Sequence, residues 1–175
     1  MVVTKKLETA TFSAGCFWGV EELFRQLKGV KETVVGYTGG NIKNPTYEEV
    51  CSGITGYVEA IQIIFNPKEI TYERLLDVFW MAHNPLQTDG QGNDIGTQYS
   101  AVIFHHNNEQ KKIAEKTKKA LQKSDRFKYK IIATTIQPAK EFYRAEEYHQ
   151  RYLQKHGGIG YCHINVKEVL QKVQR

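Results

Sequence analysis

The order of strand-like and helix-like patterns constrains the fold of this chain more than any other feature. Alternating apolar residues predict strands, whereas apolar residues at positions i, i+3 and i+4 predict helices. The first six predicted elements follow the order strand, helix, strand, strand, helix, strand, which is the order of the split βαβ unit. The sequence therefore predicts an α+β fold, a ferredoxin-like two-layer sandwich. These elements cover residues 7–14, 16–29, 30–37, 58–65, 71–82 and 98–105.

The C-terminal part of the chain predicts an α-β-α elaboration of that unit. A lysine-rich helix at 111–123 is followed by a predicted strand at 129–136 and a last helix at 141–156. Glycines then end this helix and predict an irregular, mobile tail from about residue 157. At 175 residues the chain is long enough for one sizeable core, so we expect residues 1–175 to form a single domain.

Composition and charge argue against several classes of protein. No apolar run approaches the length of about 20 residues that a membrane helix needs, and the N-terminus lacks the apolar core of a signal peptide. We therefore expect a cytoplasmic protein without a membrane partner. A monomer is also expected. The formal net charge of +5 comes from 24 Lys and Arg against 19 Asp and Glu, and no aromatic residue interleaves with the lysines of 111–123. That segment is interpreted as a solvated helix face, so no nucleic-acid partner is expected.

The cysteines do not form a metal-binding pattern. Cys16, Cys51 and Cys162 are too few for a disulfide scaffold and have no paired zinc spacing. His149 and His156 precede Cys162, but a metal site needs three or four ligands with defined geometry. We therefore expect no metal and no other cofactor, and a redox pair of cysteines is the better interpretation.

Cys16 lies between aromatic and glycine residues, in the segment Gly-Cys-Phe-Trp-Gly at 15–19. The preceding pattern predicts a strand and the following one a helix, so Cys16 begins the helix. Free N–H groups and the positive end of the helix dipole at that point favour thiolate over thiol, which makes Cys16 a candidate nucleophile. Phe17 and Trp18 are of a type that most often packs in a core, but their place beside Cys16 favours a second role as pocket walls.

Polar candidates occur on a predicted strand and in two predicted loops. Glu59 shares a strand face with apolar residues, and it lies either at a solvated strand end or buried, where a raised pKa would make it a general acid. Position alone favours the solvated alternative. Tyr47 and Tyr99 could donate hydrogen bonds from loops, although most tyrosines only pack. Asp94 is interpreted as an Asx-turn residue.

Two further cysteines differ in their surroundings. Cys162 follows three glycines, so its segment could move to Cys16 without unfolding of the domain, although a free thiol near the C-terminus is the simpler alternative. Cys51 has no basic neighbour in the sequence and is interpreted as an ordinary buried or half-buried cysteine.

Taken together, these segments resemble the peptide methionine sulfoxide reductase A family. The resemblance extends over nearly the whole chain, and an ordered set of motifs is far more specific than any one of them. The matching motifs lie at residues 15–19, 36–40, 44–48, 51–53, 55–56 with Glu59, 91–94, 96–99, and 145–146 with 148–150.

The resemblance implies an oxidoreductase that reduces the S epimer of methionine sulfoxide, free or in proteins. Cys16 would attack the sulfoxide sulfur, release methionine and become a sulfenic acid, and a second cysteine would then form a disulfide that thioredoxin reduces. We take Cys162 as this resolving cysteine and Cys51 as dispensable. The resemblance implies that Glu59, with Tyr47 and Tyr99, hydrogen-bonds the sulfoxide oxygen and supplies protons to it. Asp94 would order the site through hydrogen bonding. Phe17 and Trp18 would hold the methyl group of the substrate.

The chain departs from the family pattern at four places. Tyr57 replaces a His, Asn84 an Asp, Asp89-Gly90 an Asn-Arg and Ser100-Ala101 an Arg-Ser. None of these changes removes a catalytic group, but the loss of two arginines could change the docking of protein substrates or of thioredoxin.

Two alternatives from other classes remain at this stage. An RNA-binding module shares the basic split βαβ pattern, but residues 55–60 fail the RNP1 motif at its first, fourth and fifth positions. A thiol peroxidase also needs a reactive cysteine, but it needs a cation close to that cysteine as well, and none is adjacent to Cys16 in the sequence.

Overall fold

A computed structural model describes residues 6–158 and 161–174. The fold is a mixed α+β fold around a mixed sheet. Within the described residues, six strands form this sheet in the order β7-β6-β1-β3-β2-β8, with β6 and β7 parallel and every other pair antiparallel. The strands are β1 (Glu8–Ser13), β2 (Val30–Thr38), β3 (Val58–Phe65), β6 (Val102–His105), β7 (Thr135–Pro138) and β8 (Phe142–Arg144).

The remaining elements surround this sheet. A small antiparallel hairpin, β4 (Gly90–Gln91) and β5 (Asp94–Ile95), lies in the loop before β6. Short 3₁₀ helices cover Thr97–Tyr99 and Glu147–His149. The α-helices are α1 (Phe17–Phe24), α2 (Tyr47–Cys51), α3 (Tyr72–Met81), α4 (Asn108–Lys123), α5 (Tyr152–Lys155) and α6 (Val166–Val173).

The main core lies between one face of the sheet and helices on that face. Phe12 of β1 and Ile61 of β3 are fully buried in a cluster with Leu23 of α1, Leu75 of α3 and Val169 of α6. Because side chains alternate along a strand, the same face of β3 also carries the residue two positions before Ile61, which is Glu59. The sheet therefore presents a carboxyl group to the layer where α1 begins.

The first six predicted elements are present, with adjusted bounds. The helix predicted at 16–29 is shorter, since α1 ends at Phe24. The strand predicted at 98–105 is shorter, because a 3₁₀ turn at Thr97–Tyr99 precedes β6. The segment between β2 and β3 contains α2, whose N-cap Thr46 forms a capping box with Glu49. Thr71 caps α3, since its hydroxyl accepts the Arg74 backbone N–H at 3.1 Å.

The predicted helix at 141–156 is wrong. β8 pairs with β2 at the edge of the sheet, and the Gln150 side-chain amide extends this pairing by accepting the Val35 N–H at 3.0 Å and donating to the Val35 carbonyl at 2.9 Å. Arg151 then adopts a left-handed φ of 52° and donates its backbone N–H to Glu21 at 2.7 Å. Tertiary hydrogen bonds thus override the helical pattern, and only α5 remains of that helix.

Two other C-terminal predictions also need correction. β7 begins at Thr135, and the earlier residues Tyr129 and Ile131 are almost fully exposed instead of paired in a strand. The tail after residue 157 is not irregular throughout, because Asn165 caps α6 and Val169 packs into the core. The predicted mobility of the glycine-rich segment falls partly on residues 159–160, which lie outside the described residues.

Candidate active site

Cys16 is the N-cap residue of α1, directly after β1. Gly15 makes the turn between the two elements with a φ of 88°, a conformation that side chains with a Cβ rarely adopt. The Cys16 side chain is buried, with 8% of its surface exposed. The predicted strand-to-helix position of the cysteine is therefore confirmed, and its sulfur faces the interior of the protein.

The protonation state of Cys16 differs from the one that its helix position predicts. Burial strongly raises the pKa of the Cys16 thiol, and the nearby Glu59 carboxyl raises it further. The Trp18 backbone N–H at the helix N-terminus lowers this pKa, but by less than burial raises it. The resting residue is consequently a thiol, and the expected preference for thiolate is wrong because loss of water outweighs the helix end.

Glu59 is buried deeply beside Cys16. It pairs with Tyr37 across β2 and β3, it is 2% exposed, and its Oε2 accepts the Phe17 backbone N–H at 3.0 Å. Burial raises the pKa of Glu59 to about 8, although the Phe17 N–H opposes this rise. The solvated alternative is therefore excluded, and at neutral pH the Glu59 carboxyl is mostly protonated.

Tyr47, Tyr99 and Asp94 converge on the same place from three different elements. Burial and the Glu59 carboxyl both raise the pKa of the Tyr47 and Tyr99 hydroxyls, so both remain proton donors. The Asp94 Oδ2 is buried without a hydrogen-bond partner in the part of the chain that the structure describes, and burial raises the pKa of this carboxyl. Asp94 thus faces the site, which an Asx-turn does not require.

Phe17 and Trp18 line the site on its aromatic side. Phe17 is buried against Tyr37, with ring centroids 5.9 Å apart, and Trp18 is half-buried and stacks on Tyr152 at 3.7 Å. The Trp18 indole N–H donates to His149 Nδ1 at 3.0 Å. The indole plane is therefore fixed by a stacked ring on one side and a hydrogen bond at its edge.

Glu146 and His149 form a network that the sequence did not assign. Glu146 accepts the Tyr37 hydroxyl at 2.8 Å and the Tyr47 backbone N–H at 3.0 Å, and it lies 3.7 Å from His149 Nε2. His149 is fully buried, and burial lowers its pKa, so the ring is neutral and its Nδ1 is free to accept from Trp18. Both residues lie in the family motif at 145–150, and this motif is the sequence feature that indicates a role for them in the site.

We expect His149→Phe to weaken substrate binding more than it slows the chemical step. The Trp18 N–H would lose its acceptor, and the indole would no longer be held in place as a wall of the substrate pocket. A typical hydrogen bond contributes about 0.5–1.5 kcal/mol, so KM for a methionine sulfoxide should rise by up to about tenfold. His149→Asn is the matched control, because its amide oxygen can stand where Nδ1 stands. Steady-state kinetics with dithiothreitol would measure both variants, and an unchanged KM in His149→Phe would contradict the role of this hydrogen bond.

The other two cysteines lie at different distances from the chemistry. Cys162 is half-buried, and its thiol donates to the Ile164 carbonyl at 3.2 Å. Cys162 is close enough to Cys16 to be among the groups that raise the pKa of the Cys16 thiol. Cys162 also lines a cavity of about 490 Å³ beside α1 and α6. Cys51 ends α2, and its thiol lies beside the Tyr47 hydroxyl, so it is closer to the site than its sequence context indicates.

Three of the departures from the family pattern have structural partners. Tyr57 packs its ring over Gly40 and donates its hydroxyl to the Ile42 carbonyl. Asn84 donates its backbone N–H to the Gln91 side chain at 2.8 Å, and its carbonyl accepts from the same amide at 2.9 Å. Ser100 donates its hydroxyl to the Thr97 carbonyl at 2.7 Å. Each of these residues therefore holds a loop that borders the site.

Gly90 belongs to the remaining departure, and it begins β4 with a φ of 149°. A Cβ at this position would overlap the Asp94 carbonyl, so the backbone here requires glycine.

Two negative findings concern only residues 6–158 and 161–174. No group of three or more His, Cys, Asp and Glu side chains there could hold a metal ion. No helix in those ranges is long and apolar enough to cross a membrane.

Comparisons with known proteins give one consistent family. A family model described as "Peptide methionine sulfoxide reductase" matches residues 8–175. The chain is 55% identical over 151 residues to a peptide methionine sulfoxide reductase MsrA from Methanosarcina mazei, which covers 86% of this chain and 71% of that protein. It is 52% identical over 162 residues to the MsrA from Methanoculleus marisnigri, with 93% of this chain and 98% of that protein covered.

Solved structures agree with the sequence relatives. Mxr1 from Saccharomyces cerevisiae in reduced form superimposes with a TM-score of 0.83 at 38% identity, over 90% of each chain. The same protein in complex with Trx2 gives a TM-score of 0.59 at 30% identity, over 84% of this chain and 85% of that chain.

Proposed function

Since this chain belongs to the peptide methionine sulfoxide reductase family, we propose that it reduces methionine sulfoxide, free or in proteins, to methionine with Cys16 as the nucleophile. The observation that carries the proposal is the meeting of the buried Cys16 thiol with the protonated Glu59 carboxyl at the start of α1. A buried thiol and a buried neutral acid can exchange protons with a substrate without creating a net charge in the site.

The chemistry of reduction balances with these two groups. Cys16 attacks the sulfoxide sulfur while Glu59 donates its proton to the sulfoxide oxygen, which is a poor leaving group until it is protonated. The thiol proton of Cys16 replaces the one that Glu59 has given up. The protonated oxygen then moves from the methionine sulfur to Cys16: the substrate S–O bond and the S–S bond formed in the attack both break, methionine leaves, and Cys16 holds the hydroxyl as a sulfenic acid. The Cys16 sulfur is thereby oxidised by two electrons and the methionine sulfur is reduced by two.

The surrounding side chains supply recognition. The Tyr47 and Tyr99 hydroxyls remain protonated and can donate to the sulfoxide oxygen, and Asp94 has an acceptor atom free to order them. Such donors would be left unpaired by unoxidised methionine, so the site favours the sulfoxide. The walls formed by Phe17 and Trp18 would hold the methyl group. A pocket with fixed donor and methyl positions distinguishes the two sulfur epimers. We assign the S epimer as the substrate, as the family resemblance implies.

Regeneration uses the second cysteine. The Cys162 thiol attacks the Cys16 sulfenic acid, an S–S bond forms, the S–O bond breaks, and the oxygen leaves as water with the thiol proton. The resulting disulfide is reduced by thioredoxin, a partner supported by the complex of the relative Mxr1 with Trx2. Cys162 lines a cavity beside α1 and α6, which supports approach of a reductant from that side. The reaction therefore serves repair of oxidised proteins and uses no cofactor.

Other properties of the molecule follow from this proposal. The strand order β6-β1-β3-β2, with all neighbours antiparallel, supports a ferredoxin-like core within the larger sheet. We also propose a single domain acting as a monomer in the cytoplasm, where thioredoxin keeps thiols reduced. Methionine sulfoxide and thioredoxin are its partners, without nucleic acid or membrane.

The proposal is tested by replacing Cys162 with serine. The variant should release about one methionine per enzyme and then stop with thioredoxin as reductant, because its Cys16 sulfenic acid has no internal thiol partner. Dithiothreitol should restore turnover, since a small thiol can reduce the sulfenic acid directly. Quantification of methionine over time checks both statements, and sustained thioredoxin-driven turnover in this variant would contradict the resolving role of Cys162.

A further inference from the structure

Gly19 lies in the interior of α1, where glycine weakens a helix relative to alanine. The reason for a glycine at this position is visible on its surface. The Cys162 Sγ lies directly over Gly19, and a Cβ on Gly19 would overlap it. Among the described residues, the nearest atom to that Cβ outside Cys162 is Ile164 Cδ1 at 3.8 Å, which is ordinary van der Waals contact. The glycine therefore creates the space that the Cys162 sulfur occupies.

The next residue of the tail packs against the other glycine that flanks Cys16. The His163 ring lies over Gly15, where a Cβ would meet His163 Cε1 at 2.8 Å and Nε2 at 3.0 Å. The His163 nitrogens are buried, and burial lowers the pKa of the ring, which is therefore neutral. The nearby Ala14 carbonyl opposes this lowering of the pKa, although it does not reach hydrogen-bond geometry.

A third contact fixes the same segment. The Tyr161 hydroxyl accepts the Asn93 backbone N–H at 3.3 Å, so the tail also touches the loop that carries Asp94. Ile164, two residues after Cys162, is buried in the main core and donates its backbone N–H to the Cys162 sulfur at 3.2 Å. Residues 161–164 thus cross the start of α1 with the two cysteine sulfurs on the same helix end.

We propose that Gly19 and His163 are positioning residues that hold Cys162 against α1, ready to resolve the Cys16 sulfenic acid; this inference rests on the proposed function. The two glycines that flank Cys16 then act as a docking surface for the tail. Holding the thiol there turns disulfide formation into a reaction between neighbours, which removes the entropic cost of a search by a free tail. The tail needs only a local shift to form the S–S bond.

The direct test is Gly19→Ala, measured in a single turnover with thioredoxin absent. The added methyl group would displace the Cys162 sulfur, so thiol loss should lag behind methionine formation and the rate of disulfide formation should fall about 10- to 100-fold relative to the rate of methionine formation. A dione probe specific for sulfenic acids should trap Cys16 in this variant but not in the wild type.

Two controls separate displacement of Cys162 from damage to α1. Gly19→Ala in a Cys162→Ser background has no thiol to displace, so it should trap as much sulfenic acid as Cys162→Ser alone. His163→Ala should slow disulfide formation and His163→Phe should restore it, because a flat ring can again cover Gly15. His163→Ala and His163→Phe test the docking of the tail even if Gly19→Ala proves unstable.

The outcomes distinguish this inference from the function on which it rests. Thiol loss in step with methionine formation in both Gly19→Ala and His163→Ala would overturn the docking of the tail, whereas the resolving role of Cys162 would stand. Thioredoxin-driven turnover in Cys162→Ser would instead overturn that role.

Discussion

Cys16→Ser is expected to abolish reduction of methionine sulfoxide, leaving only the rate of the uncatalysed reaction. A serine hydroxyl is a far weaker nucleophile toward sulfur than a thiol, and it cannot take up the sulfoxide oxygen as a sulfenic acid. The loss should be the same with thioredoxin and with dithiothreitol, because the defect precedes recycling. Methionine release from a sulfoxide substrate measures it.

The matched control for this variant is Cys51→Ser. Cys51 is the third thiol of the chain, and serine preserves a hydrogen-bonding group beside the Tyr47 hydroxyl. This control should keep turnover within about twofold of the wild type, as expected for a change at a residue outside the reacting atoms. Turnover by Cys16→Ser above the background rate would show that another group attacks the sulfoxide.

Glu59→Gln is expected to lower kcat by about 10²–10⁴-fold with little change in KM, the range in which a positioned general acid contributes. The amide keeps the size of the side chain but cannot donate an acidic proton to the sulfoxide oxygen. The pH dependence gives a second signature. Glu59 has a pKa raised to about 8, so its active protonated form is lost as pH rises through that value, and the wild-type rate should fall there.

Glutamine does not titrate, so this decline near pH 8 should be absent in Glu59→Gln. Glu21→Gln is the matched control, because Glu21 is equally buried and burial also raises its pKa, but it contacts Thr33 and Arg151 instead of the site. That variant should retain the alkaline decline. An unchanged kcat in Glu59→Gln would remove the carboxyl from the role of acid.

Local patterns predicted much of the fold because they act over short distances. The strand β3, the helix α3 and the strand-to-helix junction at Cys16 each depend on residues close together in the sequence, and all are present. The segment after residue 141 failed because its structure depends on distant partners. Gln150 bonds to Val35 and Arg151 to Glu21, and no local pattern contains those pairs.

The candidate site shows the same division. The sequence identified the position of Cys16 but predicted a thiolate, since a helix N-terminus is visible in a sequence and burial is not. For Glu59 the strand pattern favoured a solvated side chain, whereas α1 and the neighbouring strands bury this side chain away from water. The Glu146–His149 network joins residues far from Trp18 and Tyr47 in the chain, so only the folded structure brings them together.

The most direct test of the account is a single-turnover reduction of methionine sulfoxides of each sulfur configuration, with methionine and free thiols counted in the same samples. The account predicts about one methionine per enzyme from the S epimer alone, with about two thiols lost as Cys16 and Cys162 join. No methionine from either epimer, or methionine formed without loss of thiols, would contradict it.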